Sequence, residues 1–578
     1  MIKKLFAISI LALAINANAQ TPPWQWIEGA GGANQKEGRS VITDANGNII
    51  VTGMFTGSTI TFGTFTLTNT NSGTYEVFIV KYNPTGNVLW ARSATGSSND
   101  NVANISTDTK GNILITGNFQ SPTMTFGGIT ITNHDNDGSS NALDVFIAKY
   151  DAAGNILWAK DAGGGGDTPD AGSGITADVN GNVLVVGGFN CPKIGFGVDT
   201  VVNTNSYQDI FIVKYDSLGN VLWAKGAGGT SSDGGTSIGT DNNGNVVIGG
   251  GFSSAKINFG TDTLTNASSS SGSNLNLFVA KYDALGNVLW AKNAGNVNII
   301  NSTCTNLSVD ASGNIVTMGD FQGGHIVFGS TTLINADSMS MNPTNPIFIT
   351  KYSSAGNVLW AQSPVGASGN ADYGITTDNL RNVFVAGNFV TKTITLGTYT
   401  LTNTDTSSMF GGTQDIFVAK LDSSGNVLWA TSVKGAYWDE VYGISTNALG
   451  SNIAITGSFY STKLIFGTDT LTNADNTQAS PDFYVAKFGN STTSIISELN
   501  NINTIVLYPN PNNGNFVMEP NSNTKQTMQV YDVNGKLVLS QIINGKATID
   551  ASILNEGVYN ISIIIDEGVI NKRLVIVR

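Results

Sequence analysis

The string GN(V/I)LWA occurs six times and places Trp90, Trp158, Trp223, Trp290, Trp360 and Trp429; near the start, WQWIEGAGG puts Trp26 in the same position. Successive spacings are 64, 68, 65, 67, 70 and 69 residues. A period of that size, sustained over most of 578 residues, restricts the fold to an array of one supersecondary unit. Other landmarks keep the same period. Short apolar stretches end at Asp44, Asp108, Asp178, Asp241, Asp310, Asp378 and Asn447. Strands of the type FIVKY carry Lys81, Lys149, Lys214, Lys281, Lys351, Lys420 and Lys487. An FG…LTN element lies between and ends at Asn69, Asn133, Asn203, Asn266, Asn335, Asn403 and Asn473.

Each unit reads as four strands, in the first unit residues 40–43, 49–53, 77–82 and 87–92, with a small extra hairpin around 61–69. D-x-x-G-N turns join strands one to two and three to four; Asp suits the first position of a type I turn and Gly the left-handed residue after it. Arg381 replaces that Gly in the sixth unit and Ser451 extends the seventh turn, so distortion is expected at both. Four-stranded sheets repeated radially make a β-propeller, here of seven blades. The seventh unit stops after residues 482–488 without its own GNVLWA strand, while the Trp26 segment precedes the first unit. The N-terminal strand is therefore expected to complete the last blade and seal the ring, which removes two exposed edges. A β-solenoid would use shorter coils and would not produce this permutation of motifs. From Trp24 to Phe488 the repeats resemble a bacterial β-propeller repeat family marked by D-x-x-G-N-hydrophobic-x-x-x-G followed by F-(I/V)-x-K, a resemblance that implies a fold and no particular ligand.

The first 20 residues, MIKKLFAISILALAINANAQ, combine Lys3 and Lys4, an apolar stretch and Ala17-Asn18-Ala19. This is the pattern of a signal peptide (residues 1–19) cleaved near Gln20, too short to span a bilayer. No later segment reads as transmembrane. A net charge of −13 argues against nucleic acid or an anionic membrane as partner. Two cysteines, Cys191 and Cys304, lie in different repeats and are expected as buried thiols.

The pattern breaks after Gly489. Residues 489–503 read as a linker, and 504–578 as seven new strands (505–508, 516–518, 528–532, 537–542, 547–550, 558–565 and 569–577), a small Ig-like β-sandwich. Ordered motifs run through it. They are Tyr508-Pro509-Asn510-Pro511 with Gly514 and Phe516, then the stretch ending Asp532-Val533-Asn534-Gly535-Lys536, then Gly557-Val558-Tyr559, and Lys572 in the closing strand. This segment resembles the type A C-terminal sorting domain of the type IX secretion system. The resemblance implies the type IX machinery as partner, passage through the periplasm, and a final place in the medium or on the outer surface.

The repeated Trp residues are expected between blades, and each repeated Lys beside a turn Asp as a structural ion pair. The turns lack the acidic density of calcium loops, His134 and His325 form no metal motif, and no nucleophile or phosphate-binding motif stands in a suitable context. The residues thus point to no cofactor, no metal and no catalytic set. Variation gathers in the longer loops opposite the tight turns: Asp161, Asp167 and Asp170, then Asp233, Tyr373, and the run Tyr437, Trp438, Asp439 and Glu440. An aromatic flanked by carboxylates suits sugar stacking with hydroxyl hydrogen bonds, so this face is the expected binding surface. The expected function is non-enzymatic binding or adhesion toward glycan or protein. The rival readings are a polysaccharide-active enzyme and a structural surface component.

Overall fold

A computed structural model describes residues 21–32, 34–134, 143–165, 169–203, 205–266, 274–294, 299–335, 345–366, 374–403, 413–475, 478–489, 506–519, 525–532, 537–565 and 568–577. The leader, the linker, Asp167, Tyr373, Gly535 and Lys536 lie outside the described residues. Two compact units divide at Gly489.

In the first unit, Lys36–Thr43, Ile49–Phe55, Glu76–Tyr82 and Val88–Thr95 form an antiparallel sheet in that order. Every residue of the two middle strands is buried, which is why both read as continuous apolar runs. The outer strand alternates, with Trp90 inward and Leu89 46% exposed. Sheets of the same four-strand order recur along the chain, making seven among the described residues. The last consists of Asp439–Thr446, Asn452–Phe459, Asp482–Gly489 and, as its outer strand, Trp24–Gly29. Trp26 stands opposite Lys487. Each first strand packs beside the first strand of the next sheet, and Asp439–Thr446 packs beside Lys36–Thr43. The architecture is that of a β-propeller, an all-β arrangement of four-stranded blades.

The repeated residues form one interblade lock. One oxygen of Asp178 accepts from the backbone N–H groups of Asn180 and Asn182 at 2.9 and 3.0 Å. The other accepts from the Asn182 amide at 2.8 Å and from Lys214 Nζ at 2.9 Å. Lys214 Nζ and Trp223 Nε1 both donate to the Ala284 carbonyl of the next blade, each at 3.2 Å. The same pair of donors converges on Ala152, Ser217, Ser354, Ser423 and Pro84. Each Trp also lies flat on the turn glycine beyond that carbonyl: a Cβ on Gly154, whose φ is +81°, would sit 2.8 Å from the Trp90 ring. The expected Lys–Asp pair is therefore half of a device whose other half is Trp on Gly.

Lys420 departs from the pattern. It sits 3.9 Å from Asp378 and lies over the Phe384 ring, and burial lowers its pKa. The seventh unit has no turn of this type between its third and fourth strands to offer it a carbonyl.

The two expected turn distortions resolve differently. Arg381 takes φ +67° and keeps the turn intact, donating to the Asp378 carbonyl at 2.9 Å. In the seventh unit Gly450 keeps the usual left-handed place three residues after Asn447, and Ser451 is inserted after it, so the turn is one residue longer. The extra hairpins bridge blades: Thr123–Phe126 pairs with the outer strand of the preceding sheet, and Gly31, Gly228, Val365 and Lys434 make equivalent bridges. They cover edges that would otherwise template foreign strands. Cys191 and Cys304 are buried thiols, as expected.

The second unit has a three-stranded sheet (Val506–Tyr508, Asn515–Glu519, Ala547–Asp550) and a four-stranded one (Lys525–Tyr531, Leu537–Asn544, Gly557–Ile565, Gly568–Ile576). Phe516 and Tyr559 belong to their common core. Both prolines of Tyr508-Pro509-Asn510-Pro511 follow cis peptide bonds. Asn510 Oδ1 accepts from the Val575 N–H at 2.8 Å, and Asn512 N–H donates to the Val575 carbonyl at 3.0 Å. Asn512 Oδ1 in turn accepts from Gly514 N–H at 2.8 Å. The motif is thus a turn that clasps the closing strand. Asp532 is partly exposed, Lys572 is exposed, and Gly557 opens its strand with φ +156°.

Candidate functional site

Two register positions of the first strand decide what this propeller offers a ligand. Eight residues before each turn Asp stand Lys36, Asp100, Asp170, Asp233 and Ser302, and Asp439 holds the same offset from Asn447. All are buried. Asp100 accepts from Ser121 Oγ at 2.8 Å, Asp233 from Ser254 Oγ at 2.8 Å, Asp439 from Ser461 Oγ at 2.7 Å, and Asp170 from Cys191 Sγ at 3.0 Å. Burial pushes Asp100, Asp170 and Asp233 up to about 6, and Asp439 well above the usual carboxylate range. Asp170, Asp233 and Asp439, which stand out along the sequence, are thus copies of one inward-facing structural group.

Five residues before the turn stand Arg39, Ala103, Ser173, Thr236, Thr305 and, before Asn447, Tyr442. Each is the extra residue of a β-bulge, because pairing skips it in every one of these first strands. A bulge re-aims a side chain. All six line a central cavity of about 650 Å³ bounded by the first strands of all seven sheets. Tyr373 has the same offset from Asp378 in the sequence.

Four of the six bulge residues are small and uncharged. Arg39 and Tyr442, on neighbouring first strands, are not. The Arg39 guanidinium lies 4.7 Å from the Tyr442 ring centroid and 2.7 Å from Glu37 Oε2. The Tyr442 hydroxyl donates to Glu440 Oε2, and Ser458 Oγ contacts the same hydroxyl at 3.4 Å. Tyr484 fixes the Glu440 backbone by donating to its carbonyl at 3.0 Å.

Toward the long loops this cluster continues into an aromatic patch. Tyr437 and Trp438 are 39% and 37% exposed. Their backbone is held by Ser461 Oγ, which accepts from Tyr437 N–H at 2.8 Å, and by Tyr460 N–H, which donates to the Trp438 carbonyl at 2.8 Å. The Tyr437 and Tyr460 rings meet edge to face at 6.5 Å. Burial first, then the charges of Glu37 and Glu440, push the Tyr460 hydroxyl above its ordinary range. Tyr75 donates to Gln35 Oε1 at 2.6 Å. The structure therefore brings Tyr437, Trp438 and Glu440 together and turns Asp439 inward. Glu37, Arg39, Tyr442 and Tyr460 join them. The signal for Arg39 and Tyr442 was present in the sequence as the five-residue offset, where a small residue gives way to a large one.

Residues 506–577 match the family described as "Secretion system C-terminal sorting domain". The chain is 25% identical over 544 residues to an uncharacterized WD repeat-containing protein of Acanthamoeba polyphaga mimivirus, covering 82% of this chain and 39% of that protein. It is 31% identical over 111 residues to the regulatory protein FlaEY of Caulobacter vibrioides, covering 18% of this chain and 11% of that one. The chain thus spans about two fifths or less of the length of these curated relatives. Among solved structures, the Neurospora crassa Pan2 WD40 domain aligns over 82% of this chain and 98% of its own at 9% identity and a TM-score of 0.38. The extracellular domain of a putative hybrid two-component system from B. thetaiotaomicron aligns over 96% and 100% at 10% identity and a TM-score of 0.21. The protein is a β-propeller carrying a type IX secretion system C-terminal sorting domain, and its place is outside the cell, released or attached at the outer surface.

Proposed function

We propose that this chain is an exported, non-enzymatic binding protein: a leader peptide, a seven-bladed propeller over residues 20–488, and an Ig-like sorting sandwich over 504–578 that engages the type IX machinery. The propeller binds glycan or a surface protein through its long-loop face, where Tyr437, Trp438 and Glu440 form the contact and Asp439 braces it from behind. Tyr373 is assigned to the same face. The observation that carries this reading is the patch of exposed aromatics, Tyr437 and Trp438, backed by paired polar side chains at the joint between the last and first sheets. Exposed Trp and Tyr on a rigid frame suit recognition of sugar faces or protein surfaces.

Binding is preferred over turnover because Glu37 is held by Arg39 and Glu440 by Tyr442. A general acid needs a carboxyl whose pKa is raised toward neutrality and which can reach a substrate. Of the raised carboxyls, Asp100, Asp170, Asp233 and Asp439 are committed to Ser or Cys neighbours inside the blades, and Glu76 and Asp209 are buried. Glycan-array and cell-surface binding by the secreted protein, compared with Trp438→Ala, tests the reading. Loss of binding in the variant supports it, and full retention of every interaction would refute it.

A further inference from the structure

The bulges carry more than the patch does. We propose that the axial cavity is itself a binding site for an uncharged sugar unit, seated against the Arg39–Tyr442 platform and surrounded by hydroxyl and amide groups of the first strands. This deepens the reading above by naming a ligand class and a seat, and it rests on that reading.

First, the bulge falls at one register in six first strands, so a set of side chains is presented at one level of the cavity. Ala103, Ser173, Thr236 and Thr305 keep that level open, leaving about 650 Å³, which is within the usual range for small-ligand pockets. Second, the polar lining is Ser, Thr and Asn: Asn101, Asn104, Ser106, Ser173, Thr176 and Ser308 among others. Those hydroxyls that already donate keep acceptor capacity. Thr305 donates to the Met318 carbonyl at 3.1 Å, and Thr240 to the Ala177 carbonyl at 2.9 Å. Third, charge is cancelled where it enters. Arg39 is the one charged residue lining the cavity among the described residues, and Glu37 stands against it at 2.7 Å. A carboxylated or sulfated sugar would meet Glu37 and Glu440 behind the platform, and a cation would meet Arg39. An uncharged polyol meets neither penalty. Fourth, Tyr442 and the planar guanidinium stacked on it give a large flat surface at the bulge level.

The test uses the full chain and titration calorimetry with neutral gluco-, manno- and galacto-configured hexasaccharides, alongside a uronic-acid hexasaccharide. Ser173→Phe fills the bulge level from the opposite side without touching the platform. Tyr442→Ala removes the platform, Tyr442→Phe keeps the ring, and Trp438→Ala alters the rim alone. Thermal melts confirm that each variant folds. The expected result is binding of a neutral hexasaccharide that weakens about tenfold or more in Ser173→Phe and Tyr442→Ala and less in Tyr442→Phe, while Trp438→Ala, which removes a contact of the loop face, weakens it as well. Unchanged affinity in a folded Ser173→Phe overturns the proposal, as does binding of the uronic-acid probe alone. If only Trp438→Ala weakens binding, the cavity proposal fails and the loop-face reading stands. If no saccharide binds, the cavity proposal falls, and cell-surface binding decides the other reading separately.

Discussion

Lys487, in the final strand of the propeller, donates to the carbonyl of Pro84 in the first blade at 2.9 Å. Trp26 donates to the same carbonyl at 3.1 Å, so the two ends of the repeat array reach across the closing joint with the same two groups that join interior blades. Closure is thus one more instance of the repeated lock. Replacing Trp26 with Ala removes a half-buried ring and that hydrogen bond, and should cost about 2 kcal/mol. Urea unfolding of the propeller, followed by Trp fluorescence, checks this.

The lysines divide into two classes. In Lys214→Met, the Asp178 carboxylate is left buried against a hydrophobe, and the expected loss is about 3 kcal/mol. In Lys420→Met the partner is already 3.9 Å away and no carbonyl of the next blade is joined, so the loss should be about 1 kcal/mol or less. Equal losses for the two variants in denaturant titrations would contradict the lock.

Arg381 occupies a left-handed conformation that disfavours any side chain with a Cβ. Arg381→Gly should stabilise the propeller by about 1 kcal/mol, visible as a higher urea midpoint with an unchanged slope. The reverse change at Gly154, to Ala, adds both backbone strain and a clash with Trp90, and should destabilise by about 2 kcal/mol.

Acidity should matter in two opposed ways. Burial holds Asp100, Asp170, Asp209 and Asp233 up to about 6 and Glu76 up to about 8. The folded state therefore binds these protons more tightly than the unfolded chain, and stability falls as pH rises from the ordinary carboxylate range near 4 to about 6 for the aspartates and to about 8 for Glu76. At the turn residues Asp178 and Asp241 burial opposes ionisation, but hydrogen bonds from Asn and Lys outweigh it and lower both. Their contribution is present above the ordinary carboxylate range and is lost as pH falls below about 4. Calorimetric melting should therefore peak at about pH 4, where the two slopes meet, and Glu76→Gln should flatten the alkaline side of the profile.

Export follows from the second unit. A chain ended at Gly489 should accumulate in the periplasm, while the full chain reaches the medium or the outer surface. Immunoblots of periplasmic and extracellular fractions separate the two outcomes.

The fold was legible because the same residues do the same work in each blade. Asp, Gly, Asn, Lys and Trp recur at fixed offsets since each is bonded to another member of the set, and a bond repeated in space leaves a period in sequence. The site was only partly legible. Trp438 stood out as a Trp outside the repeat and is partly exposed. Asp170, Asp233 and Asp439 also stood out in their loops. Their eight-residue offset, not their chemistry, identifies them as buried supports. Arg39 and Tyr442 escaped notice because a bulge reverses the facing that strict strand alternation assigns. Only the pairing register shows which residue was skipped.

The partnership of Trp26 with Lys487 has a temporal side. The residue made among the first must wait for one made 461 positions later, and such a distant contact is slow to form and late to reward its entropy. Until then Trp24–Gly29 is an unmated strand in search of an edge, next to a seventh sheet lacking its outer member. A chain that emerges N-terminus first thus cannot mate its first strand until nearly all of the propeller has arrived.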